Sequence, residues 1–515
     1  MADLPPLPPD ATPVAAIVAP ARQSEPVVAE SNGFRYTVSG NMLLPPSTIL
    51  SSLEGVEDPK AAMDALDRAY QKAGFFLTGL RGEVQGKEVA IQVIHGRITE
   101  TDMVPSLAPF FRGVEEREDL DRNTIIRKSV LADFYAAREG VRPKVDFAAA
   151  SEPGGSKITV TEEPIEGAKS SDVTVSFNNL GSRYSSRYVA QGVAVVRPGL
   201  GLEITANYTR GLPGLSPDSG GSRYDAAAAG ISSVTPWGLY GATYTSTRYR
   251  IGRALETHPT GTIDIAAVNG TQLPYADETA RWVFTESFTH TTNVVNVFDD
   301  AFTLTDQDYG FLSAGTNFSK SFSVLGQNAS LRAGLTVSQG ISSRSGTLTS
   351  ADPGVPDPHF TLIQGNLGYN QALPNGYSAA LTWNGQWADA TLPQNQQWVL
   401  GGLGNLTAWL PAVLVGDRGM LARASVFSPP WALDDLSVSG SAFVEAGVVT
   451  SHDRPIGTPV SRGLGDAGLS LSASLKSGTS ATLAYALPVA SRNLDQKARD
   501  ALSRAYLYFN LSQSF

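Results

Sequence analysis

From about residue 167 to the C terminus the chain is a succession of short segments in which apolar and polar residues alternate with period two. Val173, Val175 and Phe177 oppose Thr174, Ser176 and Asn178, and Ile363, Gly365, Leu367 and Tyr369 oppose Gln364, Asn366 and Gly368. Leu483, Tyr485 and Leu487 oppose Thr482, Ala484 and Ala486, although both of those faces are fairly apolar. In the last segment Leu507, Phe509, Leu511 and the terminal Phe515 share one face, while Tyr508, Asn510, Ser512 and Ser514 share the other. Successive side chains of a strand point to opposite faces, so each segment reads as a strand with one apolar side. The segments are about nine to eleven residues long and are punctuated by Gly, Pro, Asp or Ser, as tilted membrane strands require. Tight turns such as Pro236-Trp237-Gly238 and Pro374-Asn375-Gly376 alternate with longer segments, Pro213 to Gly221 and Ile251 to Asp277. Short turns at one end and long loops at the other predict a transmembrane β-barrel of about sixteen antiparallel strands, with fourteen or eighteen left open. The barrel-assembly signal is read at Phe509, Leu511 and Phe515, weakened by Gln513 where an apolar side chain is expected.

The first third has another rhythm. Phe34 to Asn41 alternates as a strand, Pro46 to Leu53 reads as a short helix with Pro in its first turn, and Asp58 caps a longer helix to Gly74. That helix places Ala62, Leu66, Ala69 and Tyr70 on one face, and strands follow at Leu77 to Val84 and Val89 to Ile94. The order nearly repeats after Arg97, with a strand at Ile98 to Met103, helical stretches at Ala108 to Phe111 and Asp119 to Glu139, and strands at Pro143 to Ala149 and Lys157 to Thr161. Two small α+β modules in tandem account for this, at 33–97 and 98–166. Ahead of them, residues 1–32 contain Pro5, Pro6, Pro8, Pro9, Pro13, Pro20 and Pro26 and are expected to be an extended tether, with a short helix over Val14 to Arg22 as the alternative. They show no charged-then-apolar leader pattern, so an exported chain would have had its signal peptide removed.

Charge sharpens the boundary. The chain has 515 residues with 39 basic and 49 acidic ones, and 42 of these 88 charges fall within residues 1–166. The net charge of -10 argues against nucleic acid as a partner. No segment approaches the roughly 18 apolar residues of a helical span, and the mean hydropathy of -0.09 is compatible with strands that show lipid only alternate residues. There is no Cys, and the five His (His95, His258, His290, His359, His452) are scattered, so neither a metal site nor a cofactor is expected. No Gly-x-Ser-x-Gly elbow with partners occurs, and no enzyme is expected.

Several segments carry a resemblance. Phe34 to Asn41, the Tyr70-x-x-x-Gly74-Phe75-Phe76 step and Ile91 to Arg97 resemble the first polypeptide-transport-associated (POTRA) domain of two-partner secretion transporters of the haemolysin and filamentous haemagglutinin type. Phe177 to Tyr184 is similar to that family's first barrel strand and exit loop. The segment of about 389–418, with Gly401, Gly402 and Asp417-Arg418-Gly419, resembles a loop that in the family folds back into the lumen and presents an Arg from a Val-Arg-Gly-Tyr tip. Here the tip reads Leu406-Thr407-Ala408-Trp409, with Thr407 in the place of the Arg. Phe443, Glu445 and Gly447 match the wall motif that supplies the acidic partner. Thr cannot reproduce a planar guanidinium–carboxylate contact, so either another cation meets Glu445, with Arg418 nearest in sequence, or packing of Trp409 holds the loop.

The resemblance implies a monomer in the outer membrane of a Gram-negative bacterium, with periplasmic modules, lipid around the barrel and insertion by the barrel assembly machinery. It implies docking of an unfolded secreted exoprotein on the modules by strand addition and its passage through the barrel. The alternatives are a factor that assembles or inserts other barrels, and a passive or polysaccharide-export pore.

Overall fold

The computed structural model describes residues 25–152, 154–182, 185–216, 219–252, 255–343, 355–452, 461–494 and 507–515. Most of the tether, its alternative helix over Val14 to Arg22, and Arg183 and Tyr184 of the exit-loop motif lie outside the described residues. The chain forms two compact units whose main boundary falls between Ala168 and Lys169.

The first unit holds two small sheets. In one, Val27–Ser31 and Phe34–Ser39 form a hairpin around Asn32 and Gly33, both at positive φ, and Phe34–Ser39 runs parallel to Glu88–His95, which pairs with Thr78–Gln85. The tether therefore ends earlier than expected: Val27 and Ala29 pack on the sheet's core, and an Asn-Gly turn returns the chain for pairing. Helices Pro46–Leu53 and Pro59–Lys72 cover this sheet with Ile49, Leu53, Ala62, Leu66 and Tyr70, all buried. The Asp58 side chain caps the second helix by accepting from the Ala61 N–H at 2.7 Å. The other sheet orders Arg97–Met103, Gly155–Pro164 and Val141–Ala149, with helix Arg122–Arg138 against it.

The second unit is a closed barrel of sixteen antiparallel strands. Its twelfth strand is interrupted at Ser428-Pro429-Pro430 and is completed by Trp431–Leu433, since two prolines cannot donate to a ladder. The sixth strand is Thr260–Ala276, inside the segment expected to be a loop. Gly261, Gly270 and Pro274 hide its alternation, but its register with Leu239–Arg250 is continuous over twelve pairs. Closure joins the last strand, Leu507–Ser514, to the first, Ser171–Asn178, through five pairs from Asn510↔Asn178 to Ser514↔Thr174, and the Phe515 N–H donates to the Val173 carbonyl at 2.9 Å. Leu507, Leu511 and Phe515 are exposed on the outer face, whereas Tyr508 points inward and is buried.

Candidate functional site

Residues between the eleventh strand (Ser378–Ala388) and the twelfth fold into a hairpin whose arms, Trp398–Leu400 and Leu414–Gly416, pair antiparallel. Its partners are the inward-facing wall residues, opposite in parity to the exposed, outward-facing Val444, Leu469 and Leu511, so the hairpin occupies the lumen. The turn at its inner end depends on glycine. Gly401 and Gly402 have φ of 109° and 106°, and a Cβ on Gly401 would lie 2.0 Å from the Leu410 carbonyl oxygen. Leu406, Ala408 and Trp409 follow, all fully buried with Leu400, Leu414, Leu421, Val449 and Leu464.

Two buried wall carboxylates face this tip. Glu445 and Asp466 are cross-strand neighbours on the thirteenth strand (Leu436–Thr450) and the fourteenth (Arg462–Leu475). Glu445 Oε2 accepts the Thr407 N–H at 2.7 Å, and Asp466 Oδ2 accepts the Ala408 N–H at 2.7 Å. The charge comes from the wall itself: Arg423 Nη1 donates to Glu445 Oε1 at 2.7 Å, and its guanidinium lies 4.1 Å from the Phe443 ring centre. The Thr407 hydroxyl accepts from the Gly404 N–H at 3.1 Å, and Trp409 Nε1 donates to the Gly465 carbonyl at 3.4 Å. Tyr508 donates its hydroxyl to the Trp409 carbonyl at 3.4 Å.

Each member of the wall motif has a separate task. Phe443 is the platform for Arg423, and Gly468 beside it leaves the space that a Cβ, 2.5 Å from the ring, would take. Glu445 is the acceptor. Gly447 makes room for the hairpin, because a Cβ there would come within 3.0–3.2 Å of Leu400 and Leu406.

Arg418 is not the cation for Glu445. It sits at the root of the hairpin, where Nε donates to the Ala388 carbonyl at 2.7 Å and the guanidinium stacks 5.3 Å from the Trp387 ring. Next to it, buried Asp417 accepts the N–H groups of Leu392 at 2.8 Å and His452 at 2.7 Å. A second hold lies on the other side of the lumen. Gln394 meets Asn293 of the seventh strand (Ala280–Val297), and Gln396 meets Tyr309 of the eighth (Phe302–Val324), each at 3.4 Å. Sequence reasoning missed Arg423 and Asp466, and it quoted Asp417 only as part of the loop's flank without giving it a role. Their signal was an ionisable residue at inward parity within a charge-poor stretch.

Comparisons with known proteins bear on this geometry. The family described as "Haemolysin secretion/activation protein ShlB/FhaC/HecB" matches residues 154–475. The chain belongs to this family. CdiB from Escherichia coli has the same fold at a TM-score of 0.75 and 17% identity, over 98% of this chain and 94% of that one. CdiB from Acinetobacter baumannii follows at 0.69 and 13%, over 96% and 91%. The heme/hemopexin transporter protein HuxB of Haemophilus influenzae is 34% identical over 68 residues, which is 13% of this chain and only 12% of that protein's length. As a barrel of the ShlB/FhaC/HecB family the protein resides in the outer membrane of a Gram-negative bacterium. Within that frame it departs at the loop tip: the guanidinium that the family resemblance places on the loop stands here on the wall, at Arg423, and the loop contributes main-chain N–H groups instead.

Proposed function

We propose that the protein moves an unfolded secreted partner across the outer membrane. The partner docks on the modules of the first unit, passes the lumen in extended form and folds outside, which prevents its return without nucleotide hydrolysis. The observation that carries this reading is the lumenal hairpin fixed by hydrogen bonds from Thr407 and Ala408 to two wall carboxylates, a contact that can be released without unfolding the barrel. In this reading Gly401, Gly402, Thr407, Ala408, Trp409 and Arg418 form the gating element, and Phe443, Glu445 and Gly447 its seat. Docking would use strand addition at a sheet edge, which is Val27–Ser31 or Thr78–Gln85 in the first sheet and Arg97–Met103 or Val141–Ala149 in the second. The barrel works as a monomer, with Phe509, Leu511 and Phe515 read by the barrel assembly machinery during insertion into lipid.

The test is secretion, by cells expressing this protein, of an exported repeat-rich protein encoded beside it. Deletion of residues 34–166 is expected to abolish release into the medium, and Glu445→Ala to change it several-fold. Unchanged secretion in both variants removes the transport reading. Accumulation defects in other barrels, with secretion intact, would identify an assembly factor instead.

A further inference from the structure

The lipid-facing wall carries a carboxylate that the lumenal site does not use. Along the seventh strand Trp282, Phe284, Glu286 and Phe288 alternate on the exposed face, while Thr291 and Asn293, of the opposite parity, are buried toward the hairpin. Glu286 therefore projects from the outer surface between two phenylalanines. An acidic side chain on the lipid-facing side of a barrel strand is costly toward the bilayer midplane, and an ionisable group without a counter-charge on that side is a candidate functional position. Its Oε1 accepts from Gln272 Nε2 at 2.7 Å, and no cation pairs with it among the described residues.

The surroundings are shaped around that oxygen. A Cβ on Gly270 would lie 2.6 Å from Glu286 Oε1 and 3.1 Å from the Tyr240 ring, so glycine keeps the approach open. A groove of about 780 Å³ runs past the carboxylate, lined by Tyr240, Val268, Gly270, Glu286, Phe288 and Leu312. Its lining contains no Lys, Arg or His. One acidic acceptor, an aromatic ring on either side and an apolar trough make a site for a cationic head joined to hydrocarbon.

We propose that this groove binds a membrane lipid with a primary-amine head group, the ammonium donating to Glu286 and the acyl chains lying along Val268, Phe288 and Leu312. Charge complementarity selects this occupant. An anionic head would be repelled by Glu286, and a second copy of the chain would bring a second Glu286 rather than a cation. The inference rests on the outward orientation of the seventh strand and not on the transport reading.

Native mass spectrometry of the full chain, released from nanodiscs of equal phosphatidylethanolamine and phosphatidylglycerol, tests it. Wild type is expected to retain the amine lipid about tenfold over the anionic one, the ratio that a charge-assisted hydrogen bond of about 1.4 kcal/mol gives. Phosphatidylcholine, whose trimethylated head has no N–H, should be retained less well than phosphatidylethanolamine. Glu286→Gln should bring retention to the bulk ratio, whereas Asp308→Asn, on the same outer face, should leave it unchanged. Heat-modifiable gel mobility confirms that each variant keeps its barrel. Equal retention of the two lipids by wild type, or an undiminished preference in Glu286→Gln, overturns the proposal. So does a protein photo-crosslinked from position 288 in cells when the lipid preference is absent, since it assigns the groove to a protein partner.

Discussion

Replacing Glu445 by Ala separates a lock made by the main chain from one made by the side chain at position 407. The Glu445 side chain is fully buried and holds both the Thr407 N–H and Arg423 Nη1 at 2.7 Å. Removing it takes the carboxylate from the Arg423 guanidinium, whose Nε still donates to the Ser425 hydroxyl at 3.1 Å, and leaves the Thr407 amide without its acceptor at the tip of the hairpin. Breaking a buried pair by deleting one partner costs about 3–5 kcal/mol. The Arg423 side chain is 23% exposed, so water recovers part of that, and a figure of about 3 kcal/mol is the expectation. At about 1.4 kcal/mol per tenfold, the released hairpin should become about a hundredfold more populated. The chain has no Cys, so Leu414→Cys, on a buried position of the hairpin arm, supplies a single label site. The maleimide reaction rate at that cysteine should rise about a hundredfold when Glu445→Ala is added. Thr407→Ala in the same background keeps the N–H and loses only the hydroxyl contact to Gly404, at about 1 kcal/mol, so its rate should rise less than tenfold. A Glu445→Ala rate within threefold of the reference, or a Thr407→Ala effect as large as that of Glu445→Ala, would refute the main-chain lock.

Trp409→Ala empties the largest buried side chain of the hairpin, with a cost of about 3–5 kcal/mol, and should raise the mean conductance of single barrels in planar bilayers. Asn179 extends the closing seam beyond its last strand pair, with Nδ2 donating to the Leu507 carbonyl and Oδ1 accepting the Phe509 N–H, both at 2.8 Å. Asn179→Ala should lose about 2 kcal/mol and lower the temperature at which the barrel's gel-shifted form disappears. In the first unit the hydroxyl and N–H of Ser151 donate to Glu100 and, with a smaller contribution from Lys157, hold its carboxyl below the ordinary 4.5. A lowered folded value contributes stability that is present above the unfolded value and lost as pH falls through the folded one. Ser151→Ala should therefore lower thermal stability at about pH 6 and approach wild type in acid, as followed by circular dichroism.

Alternation with period two, charge depletion after residue 166 and the turn residues determined the barrel, its approximate strand number and its closing strand, because each is a local property of one segment. Capping determined the Asp58 helix for the same reason. The Thr260–Ala276 strand escaped, since two glycines and a proline interrupt its pattern and only pairing across twelve residues reveals it. At the lock, Phe443, Glu445 and Gly447 were legible as a spaced motif, and the loss of a guanidinium at Thr407 was legible as a problem. Its solution was not, because the register of three strands sets Arg423 and Asp466 beside Glu445, and the hairpin answers them with main-chain N–H groups that every residue but proline carries. A sequence names side chains; which backbone groups meet a buried carboxylate depends on the fold of the turn that aims them.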